Sequence, residues 1–351
     1  MFRQLCTFRV HANPRLHILP AVVVLFLVFI LLPNPYSSDV QLGRLFAVST
    51  VQPRQAAANA TLGFQRLIAL SSKPSWRTRG LQAAAKLTGL DFTIPPQPHN
   101  PVEFVVAFED IGLGQTTTPK HGSASAWVAH LDLLKFVIAS GLETAFIVED
   151  DVDWDVRIKD QIKLISDNVR NYTFVPKSDP TPYGADWDVL WLGHCGGAIE
   201  DWAPPGVIYA DDTRIPTDSY ASWSTGYLQQ RLPEGHRMIH VSTTTVCSFG
   251  YGVTRASAQK ILTLLGRGAD EAFDVALSHH CRERELRCLV VNPQIMHHYE
   301  PSKDLGYVSP VDSGDGEGEP VDEAEFEFIK GKTFNIVESA RCRALFNDTC
   351  A

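Results

Sequence analysis

With 351 residues, 44% of them hydrophobic and 20% charged, the chain can bury a core of domain size, which argues against a disordered protein. A formal net charge of −9, without any basic run of five to eight residues, excludes nucleic acid as the expected partner. Seven cysteines without one C-x-x-C pair argue against a structural zinc site.

The first element is apolar. Ile18 to Leu32 carries no charged or strongly polar side chain, and Arg3, Arg9 and Arg15 precede it. At about 1.5 Å per helical residue such a run suits a thin bilayer. A cleaved signal peptide would need small residues soon afterwards, and "PNPYSSDV" has no A-x-A site. A buried core helix is the other alternative, but the run is apolar on every side and terminal. The expectation is a signal anchor: residues 1–15 a cytosolic tail, 16–32 a transmembrane helix, 33–62 a stem rich in Pro, Ala and Gln, and 63–351 a lumenal domain. Sequons at Asn59, Asn171 and Asn347 fit a lumenal body. So does an even set of cysteines beyond Cys6, for which proximity alone pairs Cys281 with Cys288 and Cys342 with Cys350. Buried free thiols are the alternative.

From residue 63 the pattern alternates between period two and period 3.6. Strands are expected at 63–70, 102–108, 144–148, 188–193, 237–242, 246–254 and 287–292. Helices are expected at 76–90, 123–140, 156–169, 255–266 and 269–280. Residues 195–236, rich in Pro, Gly, Asp and Trp, read as a long functional loop. Residues 312–327 hold eight acids and no base, and read as a solvated loop. Strands separated by helices give an α/β fold, with a mostly parallel sheet flanked by helices.

Chemistry concentrates in "AFIVEDDVDWDV", residues 145–156. Ligands of open α/β sheets gather beyond the carboxyl ends of the strands, and Glu149, Asp150 and Asp151 directly follow the apolar strand. Adjacent carboxylates there suit a hard cation, Mn²⁺ or Mg²⁺, that could neutralise a diphosphate. An EF-hand fails, because Val156 stands where its glycine belongs and Ile162 where its glutamate belongs. Asp153 or Asp155 is expected to cap the following helix. Asp186 and Asp188 precede their strand, at the wrong end, and read as turn or capping residues.

"HGSASAWVAHLDLLKFVIASGLETAFIVEDDVDWDV" resembles the core of glycosyltransferase family 25, the lipopolysaccharide and procollagen galactosyltransferase type. The resemblance continues through "DWDVLWLGHCG", "CSFGYGVTRASAQKIL" and "CLVVNPQIMHH", and covers roughly residues 64–300, with "TFNIVESARC" as a family-like tail. It implies a GT-A-like (Rossmann-like) fold for the single lumenal domain expected behind the anchor; the Golgi membrane is the expected location from the short apolar span and the lack of a Lys-Asp-Glu-Leu type ending. That domain would transfer a sugar, galactose by the family's type, from a UDP-sugar to a glycan or glycoprotein acceptor with inversion. Asp150 and Asp151 would carry the metal, Glu149 would support them, and Trp127 and His130 would face the donor. The family's Arg-x-Asp-Arg segment is replaced by "LSSKPSWRTR", in which Lys73, Arg77 and Arg79 keep the positive charge.

Further candidates follow from position. His297 and His298 follow a strand and could complete the metal or diphosphate site, and His194 also stands at a strand end. An inverting transfer needs a general base, and Asp274 is the candidate, with Asp270 one turn earlier on its helix. Trp191 is expected in the core, while Trp202 and Trp223 stay open between core and sugar stacking. Two other functions compete: a metal-dependent phosphoesterase, and a non-catalytic carbohydrate-binding protein of the same fold.

Overall fold

The computed structural model describes residues 52–111, 117–301, 305–319, 326 and 328–350. The expected tail, the anchor over 16–32 and the stem as far as residue 51 lie outside them. Among the described residues no helix is long and apolar enough to cross a membrane.

The chain opens with α1 (Pro53–Ala57), β1 (Arg66–Leu70), α2 (Trp76–Thr88), β2 (Phe92–Thr93), α3 (Val102–Ile111), α4 (His121–Ala139), β3 (Thr144–Glu149) and β4 (Val152–Trp154). Next come α5 (Ile158–Tyr172), β5 (Val189–Gly193), β6 (Gly196–Gly197), β7 (Val207–Ala210), α6 (Thr225–Arg231), β8 (His236–Val241), β9 (Thr245–Val246) and β10 (Gly250–Thr254). The last part holds α7 (Arg255–Leu265), α8 (Phe273–Arg282), β11 (Cys288–Asn292), β12 (Met296–Glu300), α9 (Pro310–Gly314), β13 (Lys332–Thr333) and α10 (Ala340–Phe346).

The central sheet has the order β2-β1-β3-β10-β5-β11-β8-β7. Strands β2, β1, β3, β5, β11 and β7 point one way, and β10 and β8 the other, so the sheet is mixed but mostly parallel in direction. Its strands are apolar on both faces because helices cover both. Leu67, Ala69, Phe146, Val148, Leu190 and Leu192 face Leu81 and Ala84 of α2 and Ile158, Ile162 and Ile165 of α5. Their alternate neighbours Ile68, Ala145, Ile147, Val189 and Trp191 face α4, α7 and α8.

Several expectations are corrected. Residues 102–108 form helix α3 and no strand. Val105 and Phe108, three apart, are the pair it buries, and Phe108 meets Trp127 of α4 edge-on at 5.6 Å. Packing on a neighbouring helix overrides the β-propensity of its valines. The end of the expected stem belongs to the body, since Ala57 and Leu62 are fully buried. The stretch 195–236 contains β7, which extends the sheet beside β8, and α6. The described part of the acidic loop is docked: Asp315 accepts hydrogen bonds from Ser123 N (3.0 Å) and Ser123 Oγ (2.7 Å). A carboxylate there satisfies the first turn of α4 and its positive dipole end. Gly122 permits this contact, because a Cβ would collide with the Val311 carbonyl. Helix α8 starts at Phe273, so Asp270 precedes it, and its carboxylate is bound by His279 at 2.6 Å.

Asp153 does not cap α5 either. It is buried in β4 and ties in the C-terminal segment, accepting from Arg341 N (3.0 Å), Thr333 Oγ1 (2.6 Å) and Ser339 Oγ. Asp155 accepts from Arg157 N at 2.9 Å and from Glu338 N at 3.1 Å. The fully buried Arg341 then reaches under the acidic stretch, donating to the carbonyls of Asp150 (2.9 Å), Val152 (3.2 Å) and Arg77 (3.1 Å). Gly80, inside α2, makes room for it: a Cβ would stand 2.9 Å from Arg341 Cζ. This explains a glycine that otherwise costs a helix about 1 kcal/mol.

Asp153→Ala strands four buried donors, the N–H groups of Trp154 and Arg341 and the hydroxyls of Thr333 and Ser339, beside a buried arginine. It is expected to cost about 3–5 kcal/mol in urea unfolding. A loss under about 1 kcal/mol would show that the tail is not held this way.

Candidate functional site

The chain leaves β1 toward β2 on one side and places β3 on the other, so the strand order reverses between β1 and β3. A crevice opens beyond the carboxyl ends of two parallel strands at such a switch point. Ser71 directly follows β1 there, and Glu149 ends β3 with Asp150 and Asp151 directly after it.

The three acids differ in how they are satisfied. Asp150 Oδ2 lies 2.5 Å from Ser71 Oγ. Burial, and then the charge of Asp151, push its carboxyl up to about 6, against the pull of Ser71, Arg77 and Arg341. Asp151 uses its carbonyl to accept Tyr299 N at 2.8 Å, while its Oδ1 is buried without a hydrogen-bond partner among the described residues. Glu149 Oε1 accepts from Ser248 Oγ at 2.8 Å and lies 3.8 Å from His130 Nε2. Burial acts to raise Glu149, but the hydrogen bonds and charge of His130, Ser248 and His298 outweigh it and hold the carboxyl below the usual range.

His130 is fixed by α4, by stacking on Phe273 at 4.5 Å, and by two hydroxyls: Tyr251 at 2.9 Å from Nδ1 and Ser248 at 3.2 Å from Nε2. Ser248 has one proton, and Glu149 receives it. Nε2–H therefore donates to Ser248, and a hydrogen-bonded path links Tyr251, His130, Ser248 and Glu149.

Asp274, in the first turn of α8, accepts Cys247 N at 2.6 Å. Burial raises its pKa, with the charge of Glu149 acting in the same direction. Cys247 adopts a left-handed conformation, φ 69°, and is bonded to Cys195 beyond β5. The expected pairs Cys281–Cys288 and Cys342–Cys350 are both present.

The remaining candidates divide. Arg77 is buried at the start of α2, donates to Tyr307 Oη at 2.9 Å and acts on the charge of Asp150. Lys73 is exposed on the loop before α2, and its carbonyl lies 3.0 Å from Ser71 Oγ. Trp127 is in the core, with Nε1 donating to the Leu265 carbonyl at 3.0 Å. His194 is fully buried and spends both ring nitrogens on backbone, Val291 O at 2.9 Å and Gly196 N at 3.1 Å. His297 is buried against Phe249 and Phe334, and His298 lies over Phe249 with Nε2 at 3.3 Å from Glu300. Trp191 is in the core; Trp202 and Trp223 are half exposed. Asp188 accepts Arg287 N and Lys260 Nζ at the start of β5, away from the crevice. Among the described residues no three His, Cys, Asp or Glu converge as a ready-made metal site. The sequence alone does not mark Ser248, Tyr251 or Arg341, whose partners are distant along the chain. Ser71 had a signal, its position at a strand end.

No family model matches this chain, and no curated protein does. Among solved structures it is similar to one described as "Crystal Structure of A197 from STIV". The identity is 8%, 70% of this chain and 85% of that chain are covered, and the TM-score is 0.30.

Burial lowers His194 and His240 to about 4 and His297 to about 3. Below pH 6.5 the unfolded chain therefore takes up protons that the folded one refuses, and stability falls, at most about 1.4 kcal/mol per pH unit for each histidine. Asp150 has the opposite sign, stabilising the fold as pH falls through 6 toward 3.8. Asp274, also raised by burial, acts with Asp150, but three histidines and the depressed Glu149 outweigh the two aspartates, so the thermal midpoint is expected to drop steadily from pH 6.5 to 4.5. A midpoint that rises over this window would contradict the assignment.

Proposed function

We propose that the protein is a metal-dependent, inverting glycosyltransferase of the family 25 type, transferring a sugar, galactose by the family's type, from a UDP-sugar to a glycan or glycoprotein acceptor. One observation carries the reading: at the switch point, Asp150 is driven toward neutrality by burial and then by the charge of Asp151, and Asp151 keeps a buried oxygen that no described protein group satisfies. A hard divalent cation, Mn²⁺ or Mg²⁺, answers both, since it binds one or two carboxylates and takes its other ligands from phosphates and water. Asp150 and Asp151 would hold it, and it would supply positive charge to a leaving diphosphate.

The chain's own residues supply the rest. Arg77 adds charge beside Asp150. The Tyr251–His130–Ser248 chain keeps Glu149 ionised and oriented. In the transfer the acceptor oxygen bonds to the anomeric carbon opposite the phosphate, the glycosyl–phosphate bond breaks, and Asp274 takes the hydroxyl proton. Its raised pKa suits that work. Three disulfides favour an oxidising compartment, in keeping with a single-pass type II protein of the Golgi membrane whose catalytic domain is lumenal.

A panel of UDP- and GDP-sugars, with released nucleotide as readout, tests the reading. One UDP-sugar is expected to be consumed in Mn²⁺, with activity lost in EDTA and lowered about 10²–10³-fold by Asp151→Ala. Full activity in EDTA would refute the metal. Sugar binding without donor consumption would favour the carbohydrate-binding alternative, and phosphate-ester hydrolysis the phosphoesterase.

Asp274→Asn is expected to lower kcat about 10²–10⁴-fold and to remove the acidic limb of the pH profile. Retained activity with an unchanged profile would remove Asp274 as the base.

A further inference from the structure

Two of the three sequons share one end of the fold. Asn59 stands in an Asx turn whose Oδ1 accepts from Thr61 N (2.8 Å), Thr61 Oγ1 (3.1 Å) and Gly63 N (2.9 Å). Its Nδ2 has no partner among the described residues, and the residue is exposed. The turn is anchored just before β1: Asp91 N donates to the Ala60 carbonyl at 2.8 Å and Gln65 N to Thr144 Oγ1 at 3.1 Å. Asn59 therefore sits at the amino ends of β1, β2 and β3.

Asn171 is exposed in the last turn of α5. Its neighbour Tyr172 is bonded to the backbone of Val241, which pairs with Leu289 near the start of β11. Cys288, one residue earlier, pairs with Val189 at the start of β5. Asn171 is thus also at the amino end of the sheet. The Asn59 turn and α5 are tied together by Pro182, which packs on Gly63 and accepts Ser166 Oγ at 2.6 Å.

We infer that Asn59 and Asn171 carry N-linked oligosaccharides, both on the end of the sheet opposite the carboxylates. The donor class is a lipid-linked oligosaccharide diphosphate. A C–N bond forms at Nδ2, the glycosyl–phosphate bond breaks, lipid diphosphate leaves, and the amide proton passes to a base of the transferring enzyme. Two hydrated glycans there leave the Asp150–Asp151 crevice open. The inference stands on the sequons, their exposure and the oxidised cysteines, independently of any catalytic role.

The test expresses the full chain in cultured eukaryotic cells and compares gel mobility before and after peptide-N-glycosidase F. Asn59→Gln and Asn171→Gln are each expected to remove one mobility step, and the double variant both. Thr61→Val and Thr173→Val should do the same while keeping the asparagines. Peptide mass mapping of the deglycosylated wild type, which depends on no variant folding, should show aspartate in place of asparagine at both positions. Unmodified asparagine at both positions would overturn the inference.

Discussion

Five carboxylates within the seven positions 149–155 repel one another, and the rest of the structure is arranged around that repulsion. Two unit charges 4 Å apart interact by about 4 kcal/mol at an effective dielectric of 20, comparable with much of a domain's net stability. The fold treats each acid separately. Asp153 and Asp155 are consumed by the C-terminal segment and Arg157, and Glu149 by a hydroxyl–imidazole chain. Asp150 is only partly compensated, and Asp151 retains an open oxygen. The two left unfinished directly follow β3 at the point where the strand order reverses between β1 and β3.

The C-terminal segment is therefore part of the site. Arg341 comes from 191 positions downstream to bind the Asp150 carbonyl, and its path requires Gly80 in a helix from a third part of the chain. Buried without a carboxylate partner of its own among the described residues, its charge is balanced by the acidic stretch above it, and burial pushes its pKa down against Asp153, Asp151 and Asp150. Disturbing either side leaves the other exposed to an uncompensated charge.

A second restraint acts across the crevice. The Cys195–Cys247 bond joins the segment after β5 to the one before β10, and Cys247 donates its N–H to Asp274. Ser248, the next residue, binds Glu149. One strained turn thus sets the distance between a candidate base and the acidic strand, and strained backbone is often found where geometry matters for chemistry.

The sequence by itself determined the alternation of strands and helices, the burial of "TAFIV" on both faces, and the place of Glu149, Asp150 and Asp151 at a strand's carboxyl end. These follow from local periodicity and from which acids come after an apolar run. It also paired cysteines close in sequence. Only the tertiary structure decided that residues 102–108 coil into a helix, because the partner that buries Val105 and Phe108 is α4. Only it separated acids that do structural work from those left available, because their partners Ser71, Ser248, Thr333, Ser339 and Arg341 lie 79 to 191 positions away along the chain. A carboxylate's environment is set by what folding brings within 3 Å of it, and no local pattern encodes that.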